Sequence, residues 1–399
     1  MGESVISART AAVMAAMEGV SSFLSGSAYA RRDPHDPANC DFVLGNPHEF
    51  PLPGFVEALR ESLTPRDATW FAYKLSEPEA TRVVAESLRE WRGVPFEADD
   101  ICLTTGAFGA LSVAIGTLVD TDDEVIYISP PWFFYEPMIR YYGGLPVRVD
   151  VTEGSLDLDL SAIEAAITPR TRALIINTPH NPTGRIYPAE ALEELARILT
   201  RAGERYGKPV YLISDESYSR IVFSGSQFVS PTVSYPHSLL IYTYGKTLLT
   251  PGQRIGFIAL PPHLPGRREL VAALEATQFV NGFAFPNALL QHALPAIDRL
   301  SIDIAHLERK RDRLAGELSA QGYEVRLPEG TFYLLVRSPV ADDLAFSDML
   351  AARRVYILPG SVFELPGYFR ISLTATDEMI ERSLPTFAAV REELVGTAA

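Results

Sequence analysis

The chain has 399 residues, 47% of them hydrophobic and 21% charged, with 27 Gly and 30 Pro, the composition of a soluble globular protein with room for a large core and a smaller second one. Asp and Glu total 50 against 35 Lys and Arg, giving a net charge of -15 and a pI near 5.0, which works against nonspecific binding to nucleic acid or to anionic membrane. The two cysteines, Cys40 and Cys102, form neither a CxxC spacing nor a disulfide framework, so a reducing cytoplasm is the expected compartment and thiol chemistry is not expected.

In chain order, the N-terminal stretch MGESVISARTAAVMAAMEGV carries Glu3 before its apolar patch and Glu18 within it, which argues against a signal peptide. No uncharged run reaches the ~18 residues of a membrane span. The first fifty residues hold no domain of their own and are expected to pack on the C-terminal unit. From about 100 to 260, short apolar runs alternate with helical patterns. ICLTT, DEVIYIS, PVRVDV, RALIINTP, PVYLISDES, LLIYTYG and RIGFIAL read as strands, several apolar on both faces as buried parallel strands are. AFGALSVAIGTLVD and AEALEELARILTRAGERYG read as helices, the second opened by Pro188 in its first turn and closed near Gly207. This alternation predicts a wound α/β sheet covered by helices, with ligands at the carboxyl ends of its strands. After 290 a long charged helix near IDIAHLERKRDRLAGELSAQG precedes EVRLPEGTFYLLV, VYILPGSVF and YFRISLT, the pattern of a smaller α+β unit. The cluster Arg309 to Arg313 interleaves with Glu308, Asp312 and Glu317 and reads as a solvated helix face rather than a nucleic-acid patch. The expected division is 1–50 joining the small domain, 51–289 as the large domain and 290–399 as the small C-terminal domain.

Several stretches within this frame carry chemistry. LTTGAFGAL puts Thr105, Gly106 and Ala107 at the mouth of an apolar helix, where exposed N–H groups and the helix dipole make either a phosphate cradle or a plain N-cap turn. Trp132 in SPPWFFYEP, at the end of a strand, is either a core aromatic or a face for a planar ring to stack on. INTPHNPTGRIY closes a buried strand with two prolines, the Asn181 amide and Gly184, more punctuation than a turn alone requires. His180 has no second ligand at metal spacing and reads as structural. VYLISDESY delivers Asp215 and Tyr218 to a strand end; a carboxylate buried there needs a cationic partner, unless it is simply an N-cap. YTYGKTLLTPGQRIGF holds Lys246 and Arg254 with no acidic residue between them, which calls for an anion from outside the stretch.

The elements GNP, TTGA, Trp132, NPTG, DESY, TYGK, Arg254 and FRIS, spread in that order over residues 45 to 370, resemble the class I/II aminotransferases among the fold-type I pyridoxal-phosphate enzymes. The resemblance implies a large domain with a mostly parallel seven-stranded sheet wrapped by helices, a smaller α+β domain built from the N-terminal segment and the C-terminal part, and a homodimer with pyridoxal 5'-phosphate as cofactor. It implies that Lys246 forms the Schiff base with the cofactor aldehyde, and that Asp215 pairs with the pyridine nitrogen so that the ring acts as an electron sink. Asn181 and Tyr218 would bond the ring oxygen and Trp132 would stack on the ring. Arg254, the Thr243 hydroxyl and the turn at Thr105, Gly106, Ala107 and Phe108 would hold the phosphate. Arg370, with the backbone near Gly45, would bind the substrate α-carboxylate. The implied reaction is ping-pong transfer of an amino group from an L-amino acid to a 2-oxo acid, passing through pyridoxamine phosphate.

Two stretches depart from the family. WFAYKLSEPEATR lacks the usual glycine after the tyrosine that reaches the neighbouring subunit's phosphate; Tyr73 is the candidate and Phe71 the competing alignment. GNPHEFPLPG has His48 in place of the commoner acidic residue, and the aromatic neighbours Phe50, Phe133 and Phe134 are expected to line an entrance that favours apolar or aromatic side chains. Rival readings are a pyridoxal-phosphate-dependent β-eliminating C–S lyase, since PHNP also occurs in that branch, a decarboxylase, an enzyme acting on a specialised amino acid, and a non-enzymatic aminotransferase-like regulator. The regulator is disfavoured because nothing precedes the fold that could hold a winged helix and because Lys246, Asp215, Arg254 and Arg370 are all present.

Overall fold

Seven strands form the central sheet of the computed structural model, which describes residues 5–397. Across the sheet they run Ile101–Thr104, Gly256–Ala259, Ser238–Thr243, Tyr211–Asp215, Thr171–Asn177, Glu124–Ser129 and Leu145–Asp150. Gly256–Ala259 is antiparallel to both neighbours and every other pairing is parallel. All the expected strands are present; only the reversed direction of RIGFIAL was not legible, because a hydrophobic pattern carries no strand direction. Glu124–Ser129, Ser238–Thr243 and Gly256–Ala259 are buried along their whole length, as strands sandwiched between helices must be.

One face of the sheet is covered by the helix Gly106–Leu118, whose Val113 and Ile115 share a core with Ile175, Ile213 and Ile241. The other is covered by Ala189–Tyr206, through Leu192, Leu195 and Leu199 against Ile126, Leu174 and Leu212. Pro188 is the N-cap of that helix rather than a residue of its first turn, and Gly207 ends it at φ 71°, a left-handed conformation that glycine adopts at little cost. Because the strands are parallel, Thr104, Ser129, Asn177, Asp215 and Thr243 all come to the same edge of the sheet.

A second sheet, antiparallel, has the order Leu358–Pro359, Tyr368–Ser372, Tyr333–Arg337, Val325–Arg326. It packs with the helices Ile304–Ala320 and Asp377–Thr397 around Leu314, Leu318, Phe369 and Phe387. The N-terminal segment joins these residues: Cys40–Asp41 pairs in parallel with Val355–Tyr356, and Val20 and Phe23 pack with Tyr356, Leu358 and Phe363. Its helices Ala8–Ala16 and Glu18–Gly26 escaped the sequence reading because their Ala, Ser and Gly positions draw no apolar stripe.

The basic cluster on Ile304–Ala320 is only partly a solvated face. Lys310 and Arg311 are buried. Lys310 Nζ donates to Glu49 at 2.6 Å and to the Ala375 carbonyl at 2.9 Å, while Arg311 pairs with Glu308 at 2.9 Å and Asp312 at 2.7 Å. The interleaved Glu308 and Asp312 thus neutralise the buried Arg311, and Glu49 from another segment neutralises Lys310, which a linear charge pattern cannot distinguish from a wet surface. Among the described residues no helix is long and apolar enough to cross a membrane.

Candidate active site

The carboxyl edge of the large sheet opens into a cavity of about 420 Å³. Lining it are the predicted Gly45, Ala107, Phe108, Trp132, Asn181, Asp215, Tyr218, Thr243, Lys246, Arg254 and Arg370. Residues brought together from widely separated stretches of the chain therefore share one space.

Asp215 ends its strand almost fully buried. One carboxylate oxygen accepts from the Tyr135 hydroxyl at 2.7 Å; the other accepts from the Ser217 hydroxyl at 2.6 Å and the Ser217 N–H at 3.1 Å. Desolvation pushes its pKa up, and these hydrogen bonds together with the charge of Lys246 only partly offset the rise. No cation forms an ion pair with it among the described residues, so the carboxylate is solvated by hydroxyls and still lacks a counter-charge. Asn177 braces the same edge, donating to the Asp215 carbonyl at 2.8 Å and accepting from the Asn181 N–H at 2.7 Å.

Lys246 lies in the short helix Tyr244–Thr247 that follows the strand Ser238–Thr243. It is half-buried, its ammonium 5.5 Å from the centre of the Tyr218 ring and 5.7 Å from that of Phe332. It too forms no ion pair among the described residues. Arg254 donates to the Pro251 carbonyl at 2.8 Å and meets no carboxylate among them. Although it faces solvent at the cavity mouth, loss of water on its protein side holds its guanidinium below the ordinary range.

Gly106 opens its helix at φ 76°, and a Cβ there would stand 3.1 Å from an Arg254 nitrogen and 3.3 Å from the Thr243 hydroxyl. Glycine thus keeps a small cradle open between a helix N-terminus, a hydroxyl and an unpaired guanidinium, the donor set that a phosphate group requires. Thr105 supplies no side-chain cap, and its hydroxyl lies against Gly109, where a Cβ would come within 2.3 Å of it. Neither Thr105 nor Gly106 lines the cavity itself.

Arg370 is buried. It donates to Asn181 Oδ1 and to the Val43 carbonyl, both at 2.8 Å, and its Nε has no partner. The aromatic wall consists of Trp132 set edge-on to Phe108 at 5.0 Å and to Phe134 at 5.2 Å, with Phe133 beside Phe134 at 4.8 Å. The expectation for the entrance is corrected in part. Phe133 and Phe134 do line the cavity, but Phe50 borders a separate pocket beside Lys310; the neighbouring His48 stands in a third, polar one with Arg32, Asp41 and Arg382. The chain bends away after Asn46, so sequence proximity to Gly45 did not carry these side chains inward.

Tyr73 is 88% exposed, stacks on Phe285 at 4.9 Å and does not line this chain's own cavity; Phe71 is exposed as well. His180 is buried against Thr183 at 2.8 Å, and burial pushes its pKa down to about 3, so it stays neutral. Sequence reasoning missed Asn177, Tyr135, Ser217 and Tyr333. Asn177 and Tyr135 sit four residues before Asn181 and three after Trp132, a spacing that offered the only available signal.

Comparison with known proteins gives one family. The model of aminotransferase class I and II matches residues 42–386. The aspartate/prephenate aminotransferase of Thermus thermophilus is 32% identical over 360 residues, covering 87% of this chain and 90% of that protein. The aromatic-amino-acid aminotransferase 2 of Thermococcus litoralis is 26% identical over 363 residues, covering 88% and 91%. Among solved structures, an amino transferase from Eubacterium rectale superimposes with a TM-score of 0.85 at 29% identity, covering 98% of this chain and 96% of that one. The Thermus thermophilus aspartate aminotransferase with maleate does so with 0.79 at 27% identity, covering 97% and 100%.

Proposed function

The chain belongs to the class I and II aminotransferases, pyridoxal-phosphate enzymes, and on that premise we propose that it moves the amino group of an apolar or aromatic L-amino acid to a 2-oxo acid in two half-reactions. The observation that carries this reading is the meeting of Lys246, Asp215, Arg254 and Arg370 in one cavity, none of them in an ion pair among the described residues.

Pyridoxal phosphate, when bound, supplies an aldehyde for an amine to condense with and a ring that accepts the Cα electron pair. The protein does the rest. Arg254, the Thr243 hydroxyl and the helix start at Gly106 and Ala107 grip the phosphate. Asp215 would hold a proton on the ring nitrogen and so gain the ion-pair partner it lacks among the described residues. Asn181 uses its Oδ1 for Arg370, which leaves its amide N–H groups free; they and the Tyr218 hydroxyl would bond the ring oxygen. Lys246 Nζ would be the amine that holds the cofactor aldehyde and, once freed by the substrate amine, the base that takes up the substrate Cα proton. Arg370 receives the α-carboxylate beside Gly45. On the same reading Tyr73 reaches the cavity of a second copy, the functional unit is a homodimer in the cytoplasm, and 1–50 joins 290–399 as a small domain against 51–289.

The side-chain preference follows from what surrounds the substrate. Leu44, Phe108, Leu111, Trp132, Phe133 and Phe134 line the cavity, and its cations are Lys246, Arg254 and Arg370, each already assigned. A second carboxylate would meet no cation from this chain, and an unpaired buried charge is costly. In a single turnover with the acceptor withheld, phenylalanine is expected to convert the loaded protein to the aminated cofactor form at least about tenfold faster than aspartate, with stoichiometric oxo acid. Faster conversion by aspartate rejects the preference; pyruvate and ammonia from a cysteine conjugate, with the spectrum unchanged, rejects transamination.

Cofactor retention tests the phosphate grip. Arg254→Gln removes the cation and keeps a polar side chain, so the apparent dissociation constant for pyridoxal phosphate is expected to rise roughly 10- to 100-fold, read by equilibrium dialysis. An unchanged constant removes Arg254 from that role.

A further inference from the structure

One ionisable group in the cavity wall has no part in the chemistry above: the phenol of Tyr333. The strand Tyr333–Arg337 runs antiparallel to Tyr368–Ser372, with Tyr333 opposite Ser372 and Leu335 opposite Arg370. Tyr333 and Arg370 are therefore diagonal neighbours on one face of the sheet, within reach for an aromatic ring and a long side chain. The guanidinium carbon lies 3.8 Å from the centre of the Tyr333 ring, well inside cation–π range.

The two kinds of support are complementary. Asn181 Oδ1 and the Val43 carbonyl fix the guanidinium along its edges, each at 2.8 Å, and the Tyr333 ring fixes its face. A planar cation held on two edges and one face has little freedom to rotate, and its unpartnered Nε is then presented at a constant angle. The Tyr218 ring stands edge-on to that of Tyr333, the centroids 5.9 Å apart. Burial alone would raise the Tyr333 pKa, but the charges of Arg370 and Lys246 counter it and the phenol lies below the ordinary tyrosine range. Gly45 closes the arrangement: a Cβ there would come within 2.6 Å of Phe332 and 2.8 Å of the Tyr333 hydroxyl, so the loop can rest on this ring only as glycine.

We propose that Tyr333 is a positioning residue for the substrate α-carboxylate, its ring holding the Arg370 guanidinium in the plane that receives it. The inference rests on the reading of Arg370 as the carboxylate seat. It goes beyond that reading by making the strength of the seat depend on an aromatic face rather than on the arginine alone.

The test uses the cofactor-loaded protein titrated with 3-phenylpropionate and with 3-phenylpropanamide, binding being followed through the cofactor absorption. The wild-type protein is expected to prefer the acid. Tyr333→Leu and Tyr333→Met, which remove the aromatic face, are expected to shrink that preference roughly 3- to 30-fold, while Tyr333→Phe, which keeps it, retains the preference. Two side chains of different shape guard against one variant failing to fold. If the variants weaken acid and amide equally, or keep the full preference, or if Tyr333→Phe loses as much as Tyr333→Leu, the proposal is overturned and Arg370 stands as the seat. A wild-type protein that does not distinguish acid from amide overturns the Arg370 reading, and the proposal with it.

Discussion

Replacing Lys246 with alanine is expected to lower turnover by about 10⁴-fold or more, the loss of a covalent anchor and of a general base at once, while leaving the protein folded and able to bind cofactor. The geometry separates these outcomes. Lys246 is half-buried in a four-residue helix and forms no ion pair among the described residues, so its removal leaves no buried partner uncompensated. Neighbouring positions carry the local fold: Thr247 is buried with its hydroxyl 2.7 Å from that of Tyr242, and Tyr244 bonds Asp298 at 2.6 Å. The phosphate grip at Arg254, Thr243 and Gly106 is made by other side chains and by backbone. Steady-state rates and equilibrium dialysis on the same preparation decide the matter. Ordinary activity in the variant removes Lys246 from the chemistry; loss of both activity and cofactor binding makes it a structural residue.

Much of this site was legible because parallel strands deposit their last residues at one edge, so each strand end in the sequence is also a site position. Asp215 after PVYLIS, Asn181 after RALIIN and Lys246 after LLIYTY were found that way. What remained hidden depends on distances between chain segments. Tyr135 stands in an aromatic run, marked only by its place three residues after Trp132, and its bond to Asp215 depends on a strand 80 residues away. Tyr333 faces Arg370 only through the register of two strands far apart in the chain. Phe50 failed in the opposite sense, since it was expected at the entrance with Phe133 and Phe134 and the backbone carries it to another pocket. Lys310 and Arg311 look identical to solvated cations until their helix is packed. Strand-end chemistry is thus a local property that a sequence carries, whereas the bracing around it is a tertiary one.

The second large effect is expected from Asp215→Asn, which keeps the shape of the side chain and removes its charge. Without a carboxylate the ring nitrogen is no longer held protonated, and turnover is expected to fall roughly 10²- to 10³-fold. The same substitution has a separate signature in the cofactor-free protein. Burial raises the Asp215 pKa above its unfolded value, so between those two values the folded state binds more protons than the unfolded one. Stability then declines as pH rises through that window: the contribution is fully present below the ordinary carboxylate range and is lost above the raised folded value. The amide that replaces the carboxylate in the variant does not titrate. Thermal unfolding of the cofactor-free proteins across the mildly acidic range should therefore show wild type losing stability relative to the variant as pH rises. The loaded wild type should lack this decline, because a protonated ring nitrogen opposes the desolvation that causes it. Parallel stability curves for the two cofactor-free proteins would mean that Asp215 is already compensated by the Tyr135 and Ser217 donors, and that its need for a counter-charge is not what draws the cofactor ring to this edge of the sheet.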